Sequence, residues 1–339
     1  MAAPDRLALA FETGALALPE AGAVVVLRAG PSRFLTLVPG DRLRCVQSFR
    51  PAFDALDAGG VSVSTEAEGP AAMAVVVLTR SRAESLGNVA RALGLLEPGG
   101  TLVVTGGKGE GVDGVARQVA AALPVAGTYV KAHGRVFWLA RPAALPPEVA
   151  AWAAEAAPRR NADGFVTAPG MFSPDHADPG SRRLAALLPG RLAGRVADLG
   201  AGWGWLADAA LAACPAIAEL DLFEAEALAL DAARRNVADP RARFHWTDVA
   251  RLGPGPVRYD AVIANPPFHQ GRAAEPALGA AFIAAAARIL KPGGRLLLVA
   301  NRQLPYEAPL AAAFRQVDRL AEDGAYKVLL AERPQRGRR

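Results

Sequence analysis

Short apolar runs separated by helical stretches recur twice along the chain. In the first copy, the run at 74–78 is followed by a helical stretch, a Pro-Gly-Gly stop and the run at 102–104. The same pattern begins at 259–263 and ends with Pro292-Gly293-Gly294 and the run at 296–299. Continuous apolar runs bounded by turn residues are typical of buried parallel strands, and Pro and Gly end helices. Each copy therefore predicts a strand–helix–strand unit.

This duplication predicts an α/β fold with two tandem Rossmann-like domains. The 339 residues are more than one domain usually contains. The proline-rich stretch 141–147 precedes an alanine-rich helix through Trp152, as is typical of a linker. We therefore predict a first domain over 1–145, a linker with a helix over 146–163, and a second domain over 164–339.

A glycine-rich turn follows an acidic strand end in the second domain. The strand in 195–204 is predicted to end at Asp198, and a helix is predicted from Trp205 to Ala213. Three glycines here allow close approach of the backbone to a ligand: Gly200, Gly202 and Gly204. A dinucleotide site would have glycine at position 205, and the Asp198 carboxylate would oppose its pyrophosphate. S-adenosylmethionine has cationic amino and sulfonium groups and no phosphate, so the turn favours that cofactor.

Two further acids end the next two predicted strands. Glu224 ends the strand 219–224, about 20 residues beyond the glycines, where an acid accepts ribose hydroxyls in nucleoside-cofactor sites. Asp248 ends the strand predicted over 243–248 and suits the adenine amino group. Because the carboxyl ends of parallel strands share one sheet edge, these acids and the turn predict an S-adenosylmethionine site. The alternative is that both acids are helix caps or solvated loop residues.

The fourth strand of this domain, 259–264, runs directly into Asn265-Pro266-Pro267-Phe268. The two prolines lack N–H donors and restrict Asn265 to extended geometry. The Asn265 side-chain carbonyl and the Pro266 backbone carbonyl can then accept both hydrogens of an amino group, while Phe268 stacks on its base or amide. The motif predicts methyl transfer to an exocyclic amino or amide nitrogen by positioning and electrostatics. A simple turn is the alternative.

These residues resemble the amino-methyltransferases with an Asn-Pro-Pro-aromatic motif, and most of all the small-subunit (16S) ribosomal RNA guanine-N2 methyltransferases. The resemblance extends from Gly164 to about Leu330. It is carried by the glycine turn and by the segments 169–173, 178–181, 265–271, 300–306 and 326–328. The resemblance implies a class I S-adenosylmethionine-dependent enzyme that methylates N2 of a guanine in ribosomal RNA. It also implies that Phe172 folds over the methionine end of the cofactor.

The same family carries a degenerate methyltransferase-like domain at its N-terminus. Here the first copy has Leu78-Thr79-Arg80-Ser81 where the tetrapeptide is expected, and it has no glycine-rich turn after an early acidic strand. We therefore expect the first domain to be a catalytically inactive support or RNA-docking domain. Lys108, Lys131, Arg135 and, in the second domain, Lys327 are candidate phosphate contacts, with ordinary surface positions as the alternative.

Composition limits the partners and the compartment. The net charge of +5 permits a polyanionic partner without requiring one. The sequence shows neither a signal-peptide pattern nor about 18 consecutive apolar residues, which argues against secretion and a membrane span. Cys45 and Cys214 lie far apart without metal-ligand spacing, as expected in a reducing cytosol. We expect a cytoplasmic protein that acts on ribosomal RNA or the 30S subunit, without a metal, and a monomer is the simplest expectation.

Three alternatives stay open. A methyltransferase for a protein glutamine, as in release-factor modification, shares Asn-Pro-Pro but usually continues with Tyr and has a helical N-terminal part. The large-subunit guanine-N2 enzymes share the tetrapeptide and a similar layout. A non-catalytic RNA-binding or assembly factor is opposed by the intact set of glycines, acids and tetrapeptide.

Overall fold

The computed structural model describes residues 5–267 and 276–335, and its contacts divide the chain into two compact units. Unit 1 comprises the residues up to Pro158 together with Ala168–Gly170. Unit 2 comprises Arg159–Thr167 and the chain from Met171 onward. Each described unit contains a seven-stranded sheet, and unit 2 also contains a two-stranded one.

Unit 1 alternates strands and helices along the chain. Its strands are β1 (Val24–Leu27), β2 (Leu43–Val46), β3 (Val63–Ser64), β4 (Ala71–Val77), β5 (Leu96–Gly107), β6 (Gly127–Lys131) and β7 (Gly134–Ala140). Its helices are α1 (Arg6–Glu12), α2 (Arg50–Ala58), α3 (Arg82–Leu95), α4 (Val112–Ala122) and α5 (Pro147–Ala156), with 3-10 turns at Arg33–Leu37 and Lys108–Glu110. The strand order is β3-β2-β1-β4-β5-β7-β6. Only the pairings of β7 with β5 and β6 are antiparallel.

Unit 2 begins with the short pair β8 (Arg159–Arg160) and β9 (Val166–Thr167). The main strands are β10 (Gly194–Leu199), β11 (Ile217–Glu224), β12 (Ala242–Trp246), β13 (Tyr259–Ala264), β14 (Leu290–Asn301), β15 (Phe314–Glu322) and β16 (Tyr326–Pro334). The helices are α6 (Pro179–Ala185), α7 (Trp205–Ala213), α8 (Ala227–Asn236), α9 (Pro276–Ile289) and α10 (Glu307–Ala313), with a 3-10 turn at Val249–Arg251. The order β12-β11-β10-β13-β14-β16-β15 repeats that of unit 1 strand for strand. The predicted α/β class is confirmed, and the shared order supports the predicted duplication.

The strands are buried on both faces, which explains their continuous apolar sequences. In β1, Val25 and Leu27 contribute to one core cluster while Val24 and Val26 contribute to another. In β13, Val262 and Ile263 are likewise divided between two clusters. Helices cover both faces of each sheet, as in other parallel sheets.

Several strand boundaries differ from the sequence predictions. The strands predicted to follow each Pro-Gly-Gly begin before it, since β5 starts at Leu96 and β14 at Leu290, with a register irregularity in the pairing. β12 ends at Trp246, two residues before Asp248. Pro and Gly occur both where helices end and where strands begin irregularly. The sequence alone therefore could not distinguish these two positions for each Pro-Gly-Gly.

The strand register shows which residues of unit 1 correspond to the tetrapeptide of unit 2, and they begin one residue earlier than predicted. Leu199 pairs with Ala264 in unit 2, and Leu27 pairs with Val76 in unit 1. Val77 in unit 1 therefore corresponds to Asn265, whereas the sequence comparison placed Leu78 there. The apolar run of unit 1 continues one residue beyond the strand, so counting from its end introduced the shift.

Helix α5 belongs to unit 1. Trp152 is only 4% exposed and packs with Val149 in the core of that unit. The compact division therefore falls at Pro158, later than the domain end predicted at 145. The proline-rich stretch before α5 leads into a packed helix.

Lys327 is neither an RNA contact nor a surface lysine, so both sequence interpretations were wrong. It is 3% exposed, and its Nζ donates to the Leu304 carbonyl at 2.7 Å and to Glu307 Oε1 at 2.6 Å. Its side chain leaves the sheet face and lies against Leu304 and Glu307, at the start of α10, which bury it. The ion pair and the carbonyl compensate for burying the ammonium group.

A buried carboxylate in the middle of the unit 2 sheet should make the fold sensitive to acid. Asp221 is 2% exposed and accepts hydrogen bonds from His245 Nε2 at 2.5 Å and Arg195 Nε at 3.1 Å. Burial alone would raise its pKa, but the hydrogen bonds from His245 and Arg195 lower the pKa overall. A carboxylate with a lowered folded-state pKa stabilises the fold above about pH 4 and loses this effect as the pH falls through its folded-state pKa.

We expect Asp221→Asn to lower the free energy of unfolding by about 1.5–3 kcal/mol at pH 7, because a hydrogen-bonded charge is lost. The difference from the unsubstituted protein should shrink below about pH 4. Urea denaturation at pH 7 and at pH 3 measures both values. A difference of equal size at the two pH values would contradict this role for Asp221.

Candidate functional site

Two glycines of the turn after β10, Gly202 and Gly204, have different roles. Gly202 has φ 56°, and a Cβ built on it would meet no atom within 4 Å, so its backbone faces open space. Gly204 has φ 91°, and its Cβ would lie 2.8 Å from Val237 Cγ2 and 3.2 Å from Ala233. Gly202 therefore leaves room for a ligand, whereas Gly204 lets the turn pack against α8. Close packing alone explains why residue 204 is glycine. A contact between Gly204 and the cofactor stays a prediction.

A cavity brings the turn together with the start of the tetrapeptide. Of the predicted site residues, it is lined by Phe172, Gly200, Gly202 and Asn265. Residues from the segment before β10 complete the lining, including Asp178 and Ser181 at the start of α6. The carboxyl ends of β10 and β13 lie side by side, which is why residues 65 positions apart meet here.

Glu224 at the end of β11 holds the turn in place. One carboxylate oxygen accepts from the Gly202 N–H at 2.8 Å, and the other accepts from the N–H groups of Ala225 and Glu226, each at 2.8 Å. Burial raises the pKa of Glu224, while these three backbone hydrogen bonds oppose the rise. The oxygen bonded to Gly202 keeps a second lone pair for a ligand hydroxyl.

Asp198, at the end of β10, is a buried acid without a partner. It is 1% exposed, and neither carboxylate oxygen has a hydrogen-bond partner within the described ranges. Burial, together with the nearby charge of Glu224, raises its pKa to about 8. An unsatisfied buried carboxyl is costly to the fold, so this position is suited to a cationic or hydrogen-bond-donating ligand.

Asp248 caps the 3-10 turn at Val249–Arg251. Its Oδ1 accepts from the Ala250 N–H at 3.0 Å, so the capping alternative is observed. Next to it, the Thr247 N–H donates to the Glu224 carbonyl at 2.8 Å, which ties the ends of β11 and β12 together. The cap uses one carboxylate oxygen of Asp248, and a role towards adenine stays a prediction.

Phe172 is held beside the glycine turn by Trp203. The Trp203 indole N–H donates to the Phe172 carbonyl at 2.8 Å, and Trp203 itself is only 4% exposed. The Phe172 ring is 54% exposed, so it forms an open wall of the cavity. Trp203 both lines the cavity and packs in a small core cluster with Ala177 and Ala232.

Asn236 is a supporting residue that the sequence did not reveal. Its side chain accepts from the Val166 N–H at 2.7 Å and donates to the carbonyls of Val166 and Trp203, each at 2.8 Å. It therefore joins β9 to the glycine turn. An asparagine at the end of a predicted helix is ordinary, so nothing in the sequence distinguished it.

The Asn265 carboxamide is oriented by two residues of the α6 start. Its Nδ2 donates to Asp178 Oδ2 at 2.9 Å and to Ser181 Oγ at 2.7 Å. Its Oδ1 is buried and has no hydrogen-bond partner among the described residues. Pro266 is buried and Pro267 is exposed, while Phe268 lies outside the described residues together with 269–275. The predicted acceptor oxygen is therefore available in the cavity.

Unit 1 has a charged side chain where unit 2 has its first turn glycine. The register makes Arg28 the counterpart of Gly200, and Arg28 also has positive φ, 58°. Its guanidinium group donates to Ser48 Oγ at 2.6 Å and pairs with Glu84 at 3.3 Å. A polar network thus occupies the sheet edge of unit 1 that corresponds to the glycine turn.

Among residues 5–267 and 276–335, no group of three or more His, Cys, Asp or Glu side chains has the geometry to hold a metal ion. None of the helices in those ranges combines the length and apolar character required to cross a bilayer.

Comparison with known proteins places this site in a family. Residues 163–330 match the family described as "Methyltransferase small domain". Over 97% of its length the chain superimposes on the T. thermophilus 16S rRNA N2 G1207 methyltransferase, solved with AdoMet and guanosine, with a TM-score of 0.78, 26% identity and 91% of that chain covered. Residues 163–330 of the chain are therefore a methyltransferase small domain. The predicted family resemblance and the two Rossmann-like units are thereby confirmed.

Two curated relatives match the second half of the chain. Ribosomal RNA small subunit methyltransferase C of Shewanella sp. (strain MR-4) is 37% identical over 161 residues, which are 47% of this chain and 46% of the relative. Ribosomal RNA large subunit methyltransferase G of Shewanella amazonensis is 37% identical over 166 residues, which are 48% of this chain and 43% of the relative. The chain thus spans about half the length of the curated relatives that it matches.

Proposed function

We propose that this class I methyltransferase transfers the methyl group of S-adenosylmethionine to the exocyclic N2 of a guanine in 16S ribosomal RNA. The observation that carries the proposal is the unpartnered, buried Oδ1 of Asn265 in the same cavity as the glycine turn. An amino group is a hydrogen-bond donor that satisfies such an oxygen. Since its substrate would be ribosomal RNA, the enzyme would act in the cytoplasm.

The residues present fit S-adenosylmethionine as the methyl donor. The orphaned carboxyl of Asp198 suits the ammonium group, and the remaining lone pair of Glu224 suits a ribose hydroxyl. The open backbone at Gly202 leaves room for the cofactor, Phe172 can cover its methionine end, and the second oxygen of Asp248 suits the adenine amino group. When bound, the cofactor supplies an electrophilic methyl group on its sulfonium.

The protein contributes positioning and electrostatics. Asn265 Oδ1 and the Pro266 carbonyl accept the two N–H groups of the guanine amino nitrogen and hold that nitrogen facing the methyl group. The same oxygens stabilise the positive charge that develops on nitrogen during transfer. Phe268 is proposed to stack on the guanine, whose extrusion from a helix costs a few kcal/mol.

The relatives support a ribosomal RNA substrate and favour the small subunit. The structural neighbour over nearly the whole chain is named as a 16S rRNA N2 methyltransferase and was solved with guanosine. The large-subunit relative is equally identical over the second half, so 23S ribosomal RNA is the second candidate substrate. The two substrates differ only in the RNA that is docked, not in the chemistry at the guanine.

Transfer of tritium from labelled S-adenosylmethionine tests the substrate. Purified 30S and 50S subunits from a strain that lacks the enzyme, and a release factor, serve as parallel acceptors. We expect label in 16S ribosomal RNA of the 30S subunit. Label in the 50S subunit alone would move the proposal to the large subunit, and label in the release factor alone would contradict RNA methylation.

Unit 1 is proposed to be a catalytically inactive support that docks RNA. The network around Arg28 supports its inactivity, because a paired guanidinium group stands where a cofactor turn would begin. Lys108 and Lys131 are exposed and suit phosphate contacts, whereas Arg135 is partly committed to Asp113 at 3.0 Å. RNA affinity should fall as salt concentration rises, and the slope should decrease when both lysines are replaced by glutamine.

The raised pKa of Asp198 predicts that cofactor binding releases a proton. With a pKa of about 8, the free carboxyl is mostly protonated at pH 7, whereas an ammonium partner requires the carboxylate. We expect close to one proton to be released for each bound S-adenosylmethionine at pH 7. Calorimetry in two buffers of different ionisation enthalpy measures the release. Asp198→Asn should abolish it, and equal release by that variant would contradict the assignment.

A further inference from the structure

The two ends of the Asn265 carboxamide have opposite surroundings. The nitrogen end faces two oxygen acceptors, Asp178 Oδ2 at 2.9 Å and Ser181 Oγ at 2.7 Å. The oxygen end is buried and, within the described residues, without a partner. One side of the group is thus fully committed, and the other has no competing partner among the described residues, in a residue that lines the cavity.

Asp178 decides which way the carboxamide points. An ionised carboxylate only accepts hydrogen bonds, so it requires the NH2 end of the amide. Turning the group by half a turn would place Oδ1 against the Asp178 carboxylate and would lose the charge-assisted hydrogen bond, whereas the Ser181 hydroxyl bonds to either end of the amide. The oxygen is thereby fixed on the cavity side before any substrate arrives.

We propose that Asp178 and Ser181 are positioning residues that lock the Asn265 carboxamide with its oxygen towards the target nitrogen. The proposal rests on the proposed function, because it assigns these residues a purpose at the same site. Asp178 also caps α6, since the same Oδ2 accepts from the Ser181 N–H at 2.8 Å. One carboxylate oxygen therefore serves both the helix start and Asn265.

The start of α6 is built to hold these acceptors still. A Cβ on Gly180 would lie 2.8 Å from Tyr326 Cε1 and 2.9 Å from Asp178 Oδ2, so only glycine allows this close packing. Ser181 is 8% exposed. The Arg183 guanidinium carbon lies over the Tyr326 ring, 5.3 Å from the ring centroid, and helps to hold the ring in place. Because Asp178 and Ser181 are held in place in advance, they need not move when the methyl group is transferred.

The kinetic test separates positioning from structure. We expect Ser181→Ala to lower kcat roughly tenfold and Asp178→Ala roughly 100-fold, as for the loss of one neutral and one charged hydrogen bond. The Kd for S-adenosylmethionine should change less than about twofold, since neither residue is assigned to the cofactor. Asp178→Asn keeps an acceptor oxygen for the helix cap and for Asn265, and it should recover most of the activity that Asp178→Ala loses.

Each substitution is repeated in an Asn265→Ala background on 30S subunits. If Ser181 acts through Asn265, Ser181→Ala should lower kcat no further there, whereas a general structural defect would lower it equally in both backgrounds. Ser85→Ala is the matched control, because Ser85 is a fully buried serine near the start of a helix in unit 1. It should leave kcat unchanged even if the melting temperature falls.

Two outcomes distinguish the two proposals. An unsubstituted protein that methylates no guanine N2 overturns the proposed function and, with it, the positioning role. An unsubstituted protein that methylates guanine N2, combined with Ser181→Ala and Asp178→Ala variants of normal kcat, overturns the positioning role alone. Equal losses of kcat with and without Asn265 also overturn it.

Discussion

Replacement of Asn265 by alanine is expected to lower kcat about 10²–10³-fold, the range found when one donor or acceptor that stabilises a transition state is removed. The substitution removes the buried Oδ1 that is open to the cavity, together with the amide that Asp178 and Ser181 hold. The Kd for S-adenosylmethionine should change little, because the acids assigned to the cofactor lie on β10 and β11 and after β12. Single-turnover transfer of tritium to 30S subunits measures the first value, and calorimetry measures the second.

Asn301 is a suitable control for this prediction. It is a half-buried asparagine at the end of the neighbouring strand β14, and no role in transfer is assigned to it. Asn301→Ala should keep kcat within about twofold, so loss of an asparagine from the sheet edge alone would not explain the effect. Full turnover by Asn265→Ala would show that the amino nitrogen is positioned by other groups.

Replacement of Glu224 by alanine is expected to raise the Kd for S-adenosylmethionine by roughly 100-fold or more, which corresponds to the loss of one or two charged hydrogen bonds. The side chain supports the Gly202 N–H and the two backbone N–H groups that follow β11, and it offers its remaining lone pair to a ribose hydroxyl. Glu224→Gln keeps one acceptor oxygen and should have an intermediate Kd. Calorimetry of both variants at one pH gives the comparison.

Glu219 provides the matched control on the same strand. It pairs with Arg195 at 3.1 Å, near the opposite end of β11 from the glycine turn. Glu219→Ala should leave the Kd for the cofactor unchanged. If Glu224→Ala bound the cofactor as tightly as Glu219→Ala does, Glu224 would not be a cofactor ligand.

The sequence predicted the elements that depend on burial alone. The strand Tyr259–Ala264 and the helix Trp205–Ala213 have the bounds that the sequence predicted, because a doubly buried strand and the helix after a glycine turn have strong local signals. The same signals correctly brought Gly200, Gly202 and Asn265 to one sheet edge. The bounds of these elements and the sheet edge at which they end can be predicted without knowing which side chains contact each other.

Side-chain partners across long sequence distances were not predictable. Asp178 and Asn265 are 87 positions apart, and an aspartate before Pro179 is fully explained by helix capping. Lys327 looked like a surface lysine because nothing in β16 reveals that Leu304 and Glu307 lie against its side chain. Asp248 shows the same difficulty, since a cap and a ligand acid use the same residue type.

Mass-spectrometric mapping of ribosomal RNA with and without the gene tests most directly whether a guanine amino group in 16S ribosomal RNA is methylated. We expect one N2-methylguanosine to disappear from 16S ribosomal RNA in the deletion strain. It should return with the unsubstituted protein and stay absent with Asn265→Ala. Identical maps from the two strains, or a modification that returns fully with Asn265→Ala, would contradict guanine methylation at this site.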